Sequence, residues 1–132
     1  MNDTPKHFSE QDCIIPDWPA PAGIRALVTT RAGGVSSGPH GSFNLGLKAG
    51  DDAAAVMQNR ARLQTLLPQP PRWLAQVHGS RVVDADTLDE VPEADASVAA
   101  NPGTVCTIMI ADCLPVLFCD RAGRCVGAAH AG

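Results

Sequence analysis

Three short apolar runs follow one another in the stretch VCTIMIADCLPVLFCDRAGRCVGAAHAG, from Val105 to Gly132, and they constrain the chain more than any other feature. Val105 to Ile110 is β-branched and apolar, which predicts a buried strand that ends at Ala111-Asp112-Cys113 with Pro115 just beyond. Leu114 to Phe118 forms the second run. Turn chemistry around Gly123 separates it from the third, Cys125 to Ala129, which stops at His130. Upstream, Trp73 to Val77 leads in the same way to His78-Gly79. A thiol and two imidazoles therefore sit at predicted strand ends, where a sheet presents polar side chains to a cleft without burying them unpaired.

Two imidazoles and one thiolate form a ligand set that holds a catalytic zinc and keeps a fourth position for water. The separations from His78 to Cys113 and from Cys113 to His130, 35 and 17 residues, match no compact zinc-finger spacing, so a metal site requires the fold to gather the three. The competing possibility is a satisfied core thiol and two loop histidines. Of the five cysteines, Cys106 lies within an apolar run, Cys119 and Cys125 flank a turn and Cys13 lies far upstream. An odd number without an export signal argues for reduced thiols.

A length of 132 residues suits one domain with its own core. The formal net charge of -4, with the 10 Lys and Arg scattered, provides no electrostatic footprint for nucleic acid. No apolar run approaches membrane-spanning length and the amino terminus lacks a signal-peptide core, so the expectation is a cytoplasmic protein without a membrane partner.

Residues 1–22 are polar and then proline-rich around Trp18, an extended lead-in. Gly23 to Thr30 predicts a strand that delivers Arg31 into the loop RAGGVSSGPHGSFNLG. This loop lacks the spacing of a P-loop or of a dinucleotide fingerprint. Its glycines can nonetheless expose backbone amides, and Arg31 is a fixed cation suited to phosphate or carboxylate, so an anion site and a solvated surface loop are both open. Ser42 and Asn44 add neutral hydrogen-bonding groups. Asp51-Asp52 opens the clearest helix, 52–67, with Val56, Leu63, Leu66 and Leu67 as its apolar face, Arg60 and Arg62 on a solvated face, and Pro68 closing it. With strands expected at 24–30, 73–77, 81–84, 105–110, 115–119 and 125–129, and a further short element at 95–98, the fold class is α+β: a layered domain with a mixed sheet.

The strings TTRAGGVSSGP, FNLGLKAGDD, QNRARL, WLAQVHG, ADCLPVLF and AAHAG, in this order, resemble the YfiH-like family, also called the laccase-domain or multicopper polyphenol oxidase family. The resemblance runs from about residue 24 to the last residue. It implies a cytoplasmic zinc enzyme of purine nucleoside metabolism that phosphorolyses adenosine, inosine and methylthioadenosine and deaminates adenosine. The family's metal ligands map onto His78, Cys113 and His130, and Arg31 and Asn44 correspond to residues lining its pocket. On this basis phosphate is assigned to Arg31 with the glycine-loop amides, and Asp112 to ligand orientation or proton transfer.

Three departures from the family pattern matter. Family members are longer and continue past the histidine motif with Trp-Arg-Gly, so residues 23–132 are expected to be the N-terminal part of the domain with the C-terminal half absent. His40 stands where the family often has tyrosine, an extra polar group at the pocket mouth or simply a loop histidine. His130 lies two residues from the end, where fraying would leave the site half-formed. Three alternatives to the zinc enzyme remain: a copper oxidase of phenols, for which His7 and His40 are too few further ligands; a cysteine hydrolase with Cys113 as nucleophile and His78 or His130 as base; and an inactive fragment that associates with itself or a partner through the apolar face its missing half would cover.

Overall fold

The computed structural model describes residues 8–132. They form two compact units where the length suggested one: Ala26–Leu66 with the described residues up to Asp17, and Trp18–Arg25 with Leu67–Gly132.

In the first unit the expected extended lead-in is partly replaced by structure. Ser9 caps a 3-10 turn, Glu10–Asp12, and the Asp12 side chain returns a bond to the Ser9 amide. Strand β1 (Cys13–Ile14) then pairs antiparallel with β2 (Val28–Thr29). The strand expected over 24–30 shrinks to these two residues because β1 offers no longer partner. Helix α1 (Ala53–Gln64) starts where Asp52 accepts the Ala54 amide and ends four residues before Pro68. Pro68 disfavours helical backbone in the residue that precedes it.

The buried stripe of α1 is Val56, Asn59 and Leu63. Asn59 is fully buried: its carbonyl accepts the Val35 amide at 2.9 Å, and its amide donates to Ser36 Oγ at 2.9 Å and to the Asn44 carbonyl at 2.8 Å. Arg60 and Arg62 are not a solvated face. Each reaches a loop carbonyl at 2.8 Å, Arg60 that of Leu45 and Arg62 that of Gly33. The glycine loop packs tightly enough that a Cβ on Gly34 would collide with the Ser42 carbonyl. Phe8 and Phe43 stack at 4.5 Å to close the apolar side.

The second unit holds the mixed sheet. Strand β3 (Pro71–Arg72) pairs parallel with β6 (Val105–Cys106). A four-stranded sheet follows the order β4 (Val82–Asp84), β5 (Ala96–Ala99), β8 (Val126–Ala131), β7 (Leu114–Cys119), parallel between β4 and β5 and antiparallel elsewhere. The α+β class holds. Two expected strands are shorter than drawn: Trp73 to Val77 keeps only a bridge between Ala75 and Glu93, and the run beyond Cys106 makes no ladder because the Gln76 side chain takes both the amide and the carbonyl of Met109, each at 2.7 Å. One face of the sheet carries Val83, Ser97, Ala99 and Ala128 into the core, where Leu74 and Ala94 pack with Val83. No helix among the described residues is long and apolar enough to cross a membrane.

Because Asn59 is fully buried and satisfies three groups, Asn59→Leu removes all three bonds and strands the Val35 amide and the Asn44 carbonyl. The expected loss of stability is about 3 kcal/mol, read as a lower urea midpoint at unchanged m-value.

Candidate metal centre

The chain brings His78, Cys113 and His130 together. Their donor atoms lie within 4.8 Å of one another, and among the described residues this is the group of His, Cys, Asp and Glu side chains arranged to hold a metal ion. Cys113 Sγ is 3.9 Å from His78 Nε2, and the two imidazole rings meet edge to face with centroids 4.8 Å apart. His78 is exposed and Cys113 half-buried, while the side chain of His130 is buried. His130 is not frayed. It lies within β8, and its amide donates to the Asp95 carbonyl at 2.8 Å.

Asp95 organises this group, and sequence reasoning missed it. Its residue is 2% exposed. Oδ1 accepts the amides of Val77 and Gly79 at 3.0 Å each, and Oδ2 accepts the His78 amide at 2.9 Å and faces His130 Nδ1 at 2.8 Å. Burial pushes this carboxyl up, yet the bonds from His130 and from three amides outweigh it and hold Asp95 far below the usual carboxylate range. An ionised carboxylate can only accept, so the proton lies on His130 Nδ1 and Nε2 is the nitrogen left for a metal. The same carboxylate pins the turn that carries His78, whose φ of 59° is left-handed. The only clue to Asp95 in the sequence is an acid between two alanines; its partners lie 16–18 and 35 residues away.

The donor set fits a metal ion. Two nitrogens and one sulfur suit zinc or copper, and the carboxylate behind a ligating histidine is the usual support of such sites. Gly132 closes against the three candidate residues: a Cβ there would stand 3.1 Å from His78 Cδ2 and 3.9 Å from both Cys113 Sγ and His130 Cε1. Asp112 is exposed beside Cys113. The other predicted site residues belong to the first unit. Exposed Arg31 donates from Nε to the Gly41 carbonyl at 3.0 Å, and its backbone carbonyl accepts the Ser42 hydroxyl. Asn44 is engaged with Gly46 and Asp51, and His40 Nε2 lies 2.8 Å from the Ala49 carbonyl. His7 lies outside the described residues.

The family described as multi-copper polyphenol oxidoreductase laccase matches residues 25–132. The chain belongs to that family. Among laccase-family relatives, a purine nucleoside phosphorylase of Pseudomonas aeruginosa is 60% identical over 119 residues, covering 90% of this chain and 49% of its own length. The Escherichia coli purine nucleoside phosphorylase YfiH is 52% identical, covering 90% and 50%. A crystal structure of a Neisseria meningitidis protein superposes with a TM-score of 0.88 at 50% identity, over 92% of this chain and 50% of that one. The chain thus spans about half the length of the curated relatives it matches.

A carboxyl group depressed on folding stabilises the folded state above its unfolded pKa, and that contribution is lost as pH falls through the folded value. Asp95→Asn is therefore expected to be less stable than the parent chain at pH 6, with the difference shrinking once pH falls below about 4; urea titrations of both proteins across that range measure it.

Proposed function

We propose that the chain carries the metal centre of a zinc-dependent purine nucleoside phosphorylase that also deaminates adenosine. The observation that carries this reading is the close grouping of His78, Cys113 and His130 behind a single buried carboxylate, on a chain 60% identical to a relative bearing the phosphorylase name. The substrates expected are adenosine, inosine or methylthioadenosine together with phosphate, in the cytoplasm.

His78, Cys113 and His130 would hold the zinc, which when bound supplies a Lewis acid and lowers the pKa of water toward neutrality, as attack at C6 of a purine requires. Asp95 keeps the His130 proton on Nδ1 and so directs Nε2 to the donor group. Gly132 leaves the space beside the ligands unfilled by a side chain. Exposed Asp112 is the candidate to move a proton to the departing purine at N7. Phosphate must approach the ribose C1′, and Arg31 is the candidate to bind it. Its Nε is tied to the Gly41 carbonyl, and its terminal amines have no protein partner among the described residues. Asn44 and His40 shape the loop that presents Arg31.

Elemental analysis of the purified chain is expected to find near-stoichiometric zinc that is lost in Cys113→Ser and in His78→Ala. Zinc that is absent from the parent, or retained by both variants, would sink the proposal. Assays of phosphate-dependent base release should show Arg31→Ala raising KM for phosphate by about tenfold or more, the effect of losing one charge-assisted bond.

One observation favours a second reading. The 3.9 Å approach of Cys113 Sγ to His78 Nε2 is also the pairing of a thiol nucleophile with its base. Activity that survives a chelator but is abolished by alkylation of Cys113 would select it. Copper oxidation of phenols draws less support, since His40 is engaged within its own loop.

A further inference from the structure

The three candidate residues make three pairs, and two of the pairs are held by devices already described. Cys113 leads directly into β7, whose Leu114 and Pro115 are in register with Ala131 and His130 of β8, so the ladder sets Cys113 beside His130. Asp95 joins His130 to His78. Neither device acts directly between His78 and Cys113, whose Nε2 and Sγ lie 3.9 Å apart. The segments that carry these two residues are unequally secured. Residues 75–79 are bonded along their length to 92–95: the Ala75 amide donates to the Pro92 carbonyl at 2.8 Å, the Ala75 carbonyl accepts the Ala94 amide at 3.2 Å, and the amides of Val77, His78 and Gly79 go to Asp95. The stretch that leads into Cys113 has no such flank. Ile110, Ala111 and Asp112 are exposed, so burial does not fix them. Among the described residues, the backbone of 108–112 is bonded to another segment only at Met109, where Gln76 Nε2 donates to the carbonyl and Gln76 Oε1 accepts the amide, each at 2.7 Å.

We propose that Gln76 is a positioning residue of the candidate metal centre: its paired bonds to Met109 set Cys113 Sγ against His78 and so decide whether sulfur joins the two imidazoles as a ligand, an inference that rests on the metal reading proposed above. A primary amide donates and accepts from adjacent atoms as a peptide group does, so Gln76 exchanges with Met109 the two bonds that a neighbouring strand would have supplied. The anchor is close to the pair it serves, two residues before His78 and four before Cys113. Without it, up to about 13 Å of chain ahead of Cys113 has no bond to the His78 segment, and Cys113 is held from the β7 side alone. The two imidazoles are unaffected, because Asp95 holds both from the opposite flank. Loss of Gln76 is therefore a selective lesion: it weakens the sulfur donor and spares the nitrogens.

The test titrates cobalt(II), a spectroscopic stand-in for zinc, into the purified chain, Gln76→Met and Gln76→Asn. Methionine keeps the length and loses both bonds; asparagine keeps the amide but is one methylene too short, and carries the test if Gln76→Met does not fold. The parent is expected to bind cobalt with sulfur-to-metal charge-transfer absorption in the near ultraviolet. Both variants should bind at least tenfold more weakly, as for other groups that orient metal ligands, and lose at least half of that absorption per bound ion. Asn59→Leu, weakened in the other unit, should keep the absorption in full, which separates positioning from loss of stability. A second readout needs no metal: amide hydrogen exchange at Met109 should quicken at least tenfold in Gln76→Met, while Val77, His78 and Gly79 exchange as in the parent. Undiminished affinity and absorption in both variants would overturn the proposal and leave the metal reading standing. A Met109 amide that exchanges no faster, or that quickens together with Val77–Gly79, would also overturn it. A parent chain that takes up no cobalt, or takes it up without sulfur absorption, sinks the metal reading itself and this role with it.

Discussion

The second unit depends on one carboxylate. Asp95 receives three consecutive backbone amides from the turn at Val77–Gly79 and the ring of His130, so a single side chain sets the backbone path of one candidate ligand and the protonation of the other's imidazole. Four donors converging on a buried acid hold it ionised despite its desolvation, and an ionised acid in turn fixes the direction of every bond around it. The third candidate, Cys113, is placed by a related device. Gln76, two residues before His78, binds the backbone of Met109 four residues before Cys113 and holds the two segments side by side without a strand ladder.

The first unit uses the same principle with a neutral side chain. Aromatic residues make up 4% of the chain, and beside the stacked Phe8 and Phe43 the loop from Val35 to Asn44 is held by polar bonds. Asn59 bonds Val35, Ser36 and Asn44, while Asp51 accepts Ser36 Oγ at 2.6 Å and Arg60 and Arg62 fasten neighbouring loop carbonyls to the helix. A polar centre of this kind is specific about loop conformation in a way that interchangeable apolar contacts are not.

The parts of this fold that were legible in the sequence are those encoded locally. The helix appears close to its drawn limits because Asp52 and Pro68 act on neighbouring backbone, and β7 and β8 appear because their apolar runs are bounded by the turn at Gly123. His78, Cys113 and His130 were legible as a set because each ends an apolar run. What escaped is decided at a distance. Asp95 looks like any acid in a loop until Val77–Gly79 and His130 are brought to it. Arg60 and Arg62 look solvated until a loop 15 and 29 residues away supplies carbonyls. Val105 to Ile110 reads as one strand because its composition suits one, but only Val105 and Cys106 find a partner strand. The division into two units was equally hidden, since nothing in the polar and then proline-rich lead-in says that its two segments join different units.

The left-handed backbone at His78 has a consequence for how such a chain can change. A non-glycine residue in that conformation costs on the order of 1 kcal/mol or more, and Asp95 repays it through the amides it receives. Glycine at position 78 would fit the turn at least as well as histidine. A library of variants selected only for folding would therefore drift toward losing the imidazole, and its persistence in a lineage would be a record of selection for chemistry rather than for stability.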